Sequence, residues 1–320
     1  MTERIVATHL FDAAGVGETL TRIGGSLGYD WRFIDARDTS RDDNRLRLLT
    51  AASVWHARRV SALLRSDLIH LHYGRRTRYL DLWPRRPYVL HFHGTDIRHH
   101  FHQPYAHDVM ANAAASARAV LYSTPDLAVH ALEADPRAQY FPTPIDIASL
   151  PEWRPAPTPV VAFASRWDES KDGRRQGEIA DALRAAFPGV RLEGIDWGAD
   201  ARVAREAGVT LLPRMPKAEY LRWLAGAHVV IGQPAGVLAV SELEAIGIGV
   251  PVVMEPHAAY DTVPVVRASK PDDVAQATRE LLDDPVAASR RLGGPEWVSR
   301  THGAIDSVQR LADIYTRSLA

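Results

Sequence analysis

The sequence contains no cysteine, which excludes disulfides, thiolate metal ligands and a cysteine nucleophile. It has no apolar run near the ~18 residues of a membrane span, and its N-terminus lacks the basic and apolar pattern of a signal peptide. Acidic and basic residues nearly balance, 39 against 38, which argues against a general nucleic-acid binder. Lysine is scarce, since only Lys171, Lys217 and Lys270 occur among the 38 basic residues. We therefore expect a cytoplasmic protein without a nucleic-acid partner or an integral membrane segment.

The length of 320 residues predicts two domains, and the hydrophobic content of 46% is enough for full cores. Apolar runs that favour strands, such as Arg4–Thr8, Leu68–His72 and Tyr88–Phe92, alternate with segments of helical periodicity. This alternation indicates βαβ units and a parallel sheet. Six prolines then fall between positions 142 and 159, and the strand and helix pattern restarts after them.

The predicted architecture is α/β, with two doubly wound Rossmann-like domains that face each other across a cleft. We expect a first domain at 1–150, a second domain at 151–302 and a last helix at 303–320. In open parallel sheets, ligands bind outside the carboxyl ends of the strands.

The segment from Phe163 to Gly173 is the strongest local signal. A strand leads into a loop that carries Arg166 and Lys171, and a glycine follows before a helix. Fixed cations beside a helix N-terminus suit a pyrophosphate group. The alternative is a solvated loop in an arginine-rich protein.

A second segment, from Gly236 to Val253, begins with a glycine before a helix and ends in an apolar strand. The helix carries Glu242 and Glu244, and a carboxylate here could accept hydrogen bonds from a ribose diol. The alternative is that both are exposed helix charges. Because they are two residues apart, at most one is expected to enter a cleft.

Taken together, the order of these segments resembles the family 4 glycosyltransferases of the GT-B fold. The matching segments are Asp67–His72, Tyr88–Asp96, Tyr122–Asp126, Phe141–Asp146, Ser165–Gly173, Met215–Leu221 and Glu244–Val253. They cover most of the chain, and the ordered set is more specific than any one segment. The resemblance implies a hexosyltransferase that moves a sugar from a nucleotide-diphosphate sugar to an acceptor hydroxyl with retention of anomeric configuration. It implies no cofactor and no metal.

The resemblance implies that the domain at 1–150 is the acceptor side, that the domain at 151–302 binds the nucleotide-sugar donor, and that the helix at 303–320 packs back on the first domain. It also implies roles for residues of the second domain. Arg166 and Lys171 would hold the donor diphosphate, and the N–H groups of Val237 and Leu238 would lie near its phosphates. Glu244 would accept the ribose hydroxyls. The base would stack near Arg214 and Met215.

Further implied roles fall in the first domain. His93 matches a histidine close to the transferred sugar, and we assign His93 and Asp96 as the catalytic residues. The loop with Gly15 and Gly17 matches a flexible glycine loop that faces the donor.

One position departs from the family pattern. The family has a glutamate eight residues before the ribose-binding one, and this position is Gly236 here. The departure leaves three alternatives open: backbone groups or a shifted residue hold the sugar, the sugar is unusual, or transfer has been lost. A nucleotide-binding protein without transfer activity and a nucleotide-sugar epimerase or hydrolase are therefore rival functions. A dehydrogenase fits less well, because Gly15 and Gly17 lack the third glycine of the dinucleotide motif.

Histidines and arginines suggest features of an acceptor site. His70 and His72 share one face of a strand, as do His91 and His93. This cluster is open to three interpretations: a polar acceptor pocket, ordinary packed histidines, or a metal site. No carboxylate or thiolate pattern completes a metal site. The acceptor is expected to be a small molecule or glycan, and an anionic one would be attracted to the arginines at positions 75, 76, 78, 85 and 86.

Overall fold

The computed structural model describes residues 5–36 and 44–320, which form two compact units. Unit 1 comprises Met1–Asp146 and His302–Ala320, and unit 2 comprises Ile147–Thr301. The predicted strand at Arg4–Thr8 begins at a residue outside the described ranges, and the observed strand is Ala7–Leu10.

Unit 1 contains a parallel sheet of six strands with helices on both faces. Its strands are β1 Ala7–Leu10, β2 Trp31–Ile34, β3 Leu68–His72, β4 Tyr88–Phe92, β5 Ala119–Tyr122 and β6 Gln139–Tyr140. Its helices are α1 Val16–Ser26, α2 Arg45–Leu63, α3 His107–Ser116, α4 Ala128–Ala134 and, after unit 2 in the chain, α12 Ala304–Leu319. The strand order is β2-β1-β3-β4-β5-β6.

Unit 2 repeats this plan. Its strands are β7 Val160–Phe163, β8 Arg191–Ile195, β9 Thr210–Leu212, β10 Val229–Ile231, β11 Val252–Met254 and β12 Val266–Arg267. Its helices are α5 Gly173–Ala186, α6 Ala201–Glu206, α7 Lys217–Ala225, α8 Val240–Ile248, α9 Pro271–Asp283, α10 Pro285–Leu292 and α11 Gly294–His302, whose last residue belongs to unit 1. The strand order β12-β11-β10-β7-β8-β9 changes direction at the neighbouring pair β7 and β10. Such a point is where open parallel sheets bind ligands.

The two faces of the unit 1 sheet bury different side chains because successive residues of a strand point to opposite faces. One face packs Leu10, Leu71 and Leu90 into an apolar core. The other face buries Leu68 and Val89 together with α1 and α12, which contributes Leu311. Helix α12 therefore packs within unit 1.

The proline-rich segment is held by hydrogen bonds within unit 2. The N–H groups of Arg154 and Ala156 donate to the carbonyls of Ala225 and Gly226 at the end of α7, and Trp153 Nε1 donates to Ala227. The change between units falls at 146/147, before most of these prolines. Within the described ranges, no helix combines the length and apolar character needed to cross a bilayer.

Candidate functional site

The loop after β7 brings the backbones of Arg166 and Lys171 together. The side-chain amide of Gln176 donates to both carbonyls, at 3.0 Å for Arg166 and 2.9 Å for Lys171. Gln176 lies on α5 and is buried, so these two hydrogen bonds form a clamp in the protein interior. The two cations predicted to hold a diphosphate therefore lie in one loop of fixed shape.

The start of α5 explains why this loop folds as it does. Asp172 has left-handed backbone angles, with φ of 49°, and its carboxylate accepts the N–H of Arg175 at 3.3 Å. A Cβ on Gly173 would lie 2.9 Å from the backbone nitrogen of Asp168, so glycine allows the close turn. The helix begins at Gly173, directly after the loop that carries the two cations.

Arg166 is restrained by neighbours but stays accessible. Its Nε lies 3.1 Å from Asp168 Oδ2, and its Nη2 donates to Ser170 Oγ at 3.1 Å. The side chain remains 38% exposed. Lys171 is partly buried. A guanidinium held in this way is pre-organised to bind an anion.

Trp197 links two predicted site residues, and sequence reasoning missed it. The guanidinium carbons of Arg166 and Arg214 lie 5.2 and 4.6 Å from the centroid of its indole ring. Contacts of this kind stabilise arginines over aromatic rings. Trp197 follows β8 and remains 44% exposed. The only signal in the sequence is an aromatic residue before a glycine at the end of a strand.

Gly198 fixes the position of Trp197. Its φ is +122°, and a Cβ there would lie 2.1 Å from the carbonyl oxygen of Trp167. The N–H of Trp167 in turn donates to the carbonyl of Trp197 at 2.8 Å. The loops after β7 and β8 are therefore joined, and only glycine fits at this joint.

Glu242 is fully buried, so its interpretation as an exposed helix charge is wrong. Its carboxylate accepts hydrogen bonds from Ser165 Oγ at 3.2 Å and from the N–H groups of Gln233 at 3.0 Å and Ala239 at 3.2 Å. These partners follow β7, follow β10 and precede α8. The carboxylate thus ties together the loops at the point where the strand order changes. The hydrogen bond from the Ala239 N–H to Glu242 also explains why α8 begins at Val240 and not directly after Gly236.

Glu244 is also buried, with only 5% exposed, although it lies two residues from Glu242. Both are buried because α8 is enclosed on more than one side. Lys217 Nζ donates to Glu244 Oε2 at 2.6 Å. Burial raises the pKa of the Glu244 carboxyl, and Lys217 opposes that rise. Lys217, at the start of α7, is a site residue that the sequence analysis did not assign.

The loop before α8 presents backbone amides. Gly236 has a φ of +65°, and a Cβ there would lie 3.4 Å from His257 Cδ2. Within the described residues, the N–H groups of Val237 and Leu238 donate to no protein acceptor. Such amides next to a helix N-terminus can bind an anion.

Gln233 carries an unpaired polar group at the same place. Its side chain is fully buried, and neither Oε1 nor Nε2 has a hydrogen-bond partner among the described residues. A buried amide without partners is costly, by about 1–3 kcal/mol. Water or a ligand is needed to satisfy it. Gln233 lies two residues after the end of β10, and this position after a strand was the available signal in the sequence.

The glycine loop of unit 1 is shaped by Asp12. The Asp12 carboxylate accepts the N–H groups of Gly15 at 2.5 Å and Gly17 at 2.8 Å. Burial raises the pKa of Asp12, and these hydrogen bonds lower it. A Cβ on Gly17 would lie 3.0 Å from the ring of Phe33. These amides at the start of α1 are thus engaged within the protein, and contact of this loop with a donor remains a prediction.

Asp96 does not present its carboxylate to a ligand. The side chain is fully buried and accepts the N–H groups of Gly74 at 2.8 Å, Gly94 at 2.8 Å and His93 at 3.1 Å. Burial raises the pKa of Asp96, and the backbone hydrogen bonds lower it. The geometry gives Asp96 the role of holding the backbone around His93.

His93 is partly exposed and has both ring nitrogens engaged. Nε2 lies 3.0 Å from His72 Nδ1, and Nδ1 lies 2.7 Å from Ser123 Oγ. The neighbouring histidines His70, His72 and His91 are fully buried, together with His9 of β1. These four side chains are inaccessible, so they do not line an acceptor pocket. Burial lowers the pKa of His9 and of His93 to about 3.

Part of the arginine cluster has structural partners. Arg86 Nε donates to the carbonyl of Ser66 at 2.7 Å, and Arg85 Nε donates to that of Asp81 at 3.0 Å. Arg76 lies 5.0 Å from the ring centroid of Phe11. Recruitment of an anionic acceptor by these side chains stays a prediction.

No family model matches this sequence, and no curated protein matches it either. Solved structures are similar along nearly the whole chain. Anabaena Alr3699/HepE in complex with UDP-glucose is 15% identical with a TM-score of 0.72, over 98% of this chain and 99% of that chain. A glycosyltransferase from Rickettsia africae ESF-5 is 12% identical with a TM-score of 0.66, over 99% of each chain.

A third similar structure is a putative UDP-N-acetylglucosamine 2-epimerase from Listeria monocytogenes. It is 11% identical with a TM-score of 0.60, over 96% of this chain and 95% of that chain. Each of the two Rossmann-like units contains a parallel six-stranded sheet. This architecture and the similarity to these structures define the GT-B fold. The predicted fold class, α/β with two doubly wound Rossmann-like domains of the GT-B type, is confirmed.

Proposed function

We propose that this protein is a glycosyltransferase of the family 4 type. It moves a sugar from a nucleotide-diphosphate sugar to an acceptor hydroxyl, with retention of anomeric configuration and without a metal. The acceptor is a small molecule or glycan. The observation that carries the proposal is the pair of cations on one clamped loop, beside a buried carboxylate, where the strand order of unit 2 changes.

The chemistry of this site suits a nucleoside diphosphate. Arg166 and Lys171 supply positive charge, and the amides of Val237 and Leu238 supply hydrogen-bond donors. The Glu244 carboxylate can accept two ribose hydroxyls. Trp197 and Arg214 offer surfaces on which a base can stack, close to Met215. HepE, which has this fold, was solved with UDP-glucose, and this supports a nucleotide sugar as the donor.

Transfer breaks the bond between the anomeric carbon and the phosphate oxygen and forms a bond to the acceptor oxygen on the same face. The acceptor proton passes to the departing phosphate oxygen. Negative charge grows on the leaving diphosphate, so Arg166, Lys171 and the two amides would stabilise the transition state more than the ground state. His93 would lie near the transferred sugar, with its backbone held by Asp96.

Early-time proton NMR of donor turnover tests the proposal without knowledge of the acceptor. Water can replace the acceptor slowly, and UDP-glucose, whose sugar is α-linked, should then release α-glucose before mutarotation. EDTA should leave this rate unchanged. First release of β-glucose would contradict retention, and loss of activity in EDTA would contradict metal independence.

A second candidate is a nucleotide-sugar epimerase or hydrolase. Two observations favour keeping it: Gly236 offers no side chain to hold the transferred sugar, and the similar structures include a putative epimerase. Such an enzyme would turn over UDP-N-acetylglucosamine as fast without a panel of acceptors as with it. A rate that rises with one acceptor, together with a glycosylated product, identifies the transferase instead.

A further inference from the structure

A closed ring of seven hydrogen bonds lies inside unit 1. Each member is bonded to two others, and the ring returns to its starting point. In order, its members are Tyr315, His9, His72, His93, Ser123, His91 and His70, with distances of 3.0, 3.0, 3.0, 2.7, 3.2, 3.2 and finally 2.6 Å back to Tyr315. The last of these bonds joins residues 245 positions apart in the chain.

The topology explains how the ring assembles. The histidines come from β1 and β3, and from β4 and the residue after it, while Ser123 follows β5. These strands are neighbours in the sheet, and alternation places the side chains on the face that α12 covers. Tyr315 of α12 closes the ring over this face.

The pattern of atoms is as informative as the closure. Every bond between two histidines joins the Nδ1 of one ring to the Nε2 of the other, and all ten imidazole nitrogens are used. A neutral imidazole has one N–H and one acceptor nitrogen. Burial keeps the imidazoles neutral, since it lowers the pKa of each of the five.

Proton counting then restricts the arrangement. Seven neutral members supply seven protons for seven bonds, so each member must donate once and accept once around the ring. If the Tyr315 hydroxyl donates to His9, all five histidines are Nδ1–H tautomers. If it donates to His70 instead, all five are Nε2–H tautomers.

Ser123 has one competing acceptor, the Phe92 carbonyl at 3.0 Å. If Ser123 donated there, only six protons would remain for the seven ring contacts. One ring contact would then contain no hydrogen, and two acceptor atoms would face each other at 2.6–3.2 Å. The closed ring avoids this repulsion.

We propose that these seven residues form one ring with a single donor direction, in which the five histidines share one tautomer. Tyr315 is a positioning residue that, by closing the ring, makes the tautomer of His93 the same as that of the other four histidines. The ring is independent of the proposed function. Any effect of the ring on sugar transfer rests on the proposed function, because only the proposed function places His93 near the transferred sugar.

Removal of the Tyr315 hydroxyl has a defined consequence. Tyr315→Phe leaves an open chain of five contacts and six protons. The sixth proton finds a partner only if Ser123 donates to the Phe92 carbonyl and accepts from both His93 and His91. His9, His72 and His93 then become Nδ1–H tautomers, whereas His70 and His91 become Nε2–H tautomers.

Nitrogen-15 NMR of the assigned imidazoles at pH 7.5 tests the proposal. We expect one common tautomer in the wild type, the three-to-two division in Tyr315→Phe, and the wild-type pattern in the control Tyr140→Phe, whose hydroxyl lies outside the ring. Mixed tautomers or a charged imidazole in the wild type would overturn the ring, and this result needs no variant. A Tyr315→Phe protein that keeps the common tautomer, or a Tyr140→Phe protein that loses it, would overturn the role of Tyr315.

Discussion

Lys217 Nζ lies 2.6 Å from Glu244 Oε2, and this contact occupies the carboxylate that we assign to the donor ribose. The lysine side chain is 58% exposed, whereas that of the glutamate is 7% exposed. Lys217 can therefore move aside into solvent, but Glu244 cannot. The ion pair keeps a buried carboxylate partnered in the free protein and leaves it able to accept hydroxyl donors.

Glu244→Gln should weaken binding of the nucleoside diphosphate by roughly 10- to 150-fold. The substitution keeps the size of the side chain but removes charge-assisted hydrogen bonds worth about 1.5–3 kcal/mol. Isothermal titration calorimetry measures the change. The control Glu219→Gln, at an exposed position in the first turn of α7, should bind as the wild type does. Equal affinities of the two variants would remove Glu244 from the site.

Gln233→Met should make the free protein more stable and bind the nucleotide sugar less tightly. The substitution removes a buried amide that has no partner among the described residues, a gain of about 1–3 kcal/mol in the free energy of unfolding. Urea unfolding and donor titration measure the two effects. The same change at Gln176 should lower stability, because that amide holds two carbonyls. A Gln233→Met protein that loses stability would show that its amide is satisfied in the free protein.

Gly198→Ala should reduce the free energy of unfolding by about 3 kcal/mol or more. The new Cβ would overlap the Trp167 carbonyl, and the positive φ disfavours any side chain. Gly25→Ala, in α1 with open space around it, should instead add about 0.5–1 kcal/mol. Urea unfolding compares the two variants. Similar stability changes would contradict the tight joint between the loops after β7 and β8.

Stability should fall as the pH drops from 7.5 to 5.5. An unfolded histidine takes up a proton near pH 6.5, whereas the folded pKa of His9 is about 3, so in this range the unfolded state binds more protons. The slope that each ring histidine contributes approaches about 1.4 kcal/mol per pH unit as the pH falls below 6.5. Burial raises the pKa of Asp12 and Asp96, and this acts in the opposite direction.

Urea unfolding across this pH range isolates the histidine contribution by comparison of variants. His9→Asn should reduce the slope by one histidine. Tyr140→Phe should leave it unchanged, because burial raises the pKa of the Tyr140 hydroxyl to about 12, far above this range. An unchanged slope in His9→Asn would mean that His9 is protonated in the folded protein.

Short-range patterns predicted much of the fold. The bounds of β3 and β4 were predicted to the residue, since apolar runs are local properties of the sequence. The start of α8 was missed because its cap depends on Glu242, which also binds Ser165, 77 residues earlier. Helices α6, α10 and α11 were not predicted at all.

The candidate site was predicted only in part, because local patterns can be read from the sequence and long-range contacts cannot. Arg166, Lys171 and Glu244 stand in recognisable segments, and the structure gives them a clamped loop and a buried position. Trp197 and Lys217 gain their importance only from contacts with residues on other loops. Tyr315 lies 306 residues from its partner His9, so no sequence pattern could indicate their contact.

Binding of nucleoside diphosphates to Lys171→Ala tests the central claim most directly, with Lys270→Ala as an exposed lysine control. Titration calorimetry with UDP, GDP and ADP should find one that binds the wild type and the control equally, and Lys171→Ala far more weakly. Turnover should follow, with kcat/KM lower by about 10²–10³, as for the loss of one electrostatic donor to a transition state. Diphosphate affinity and activity within about threefold of the wild type in Lys171→Ala would contradict the account.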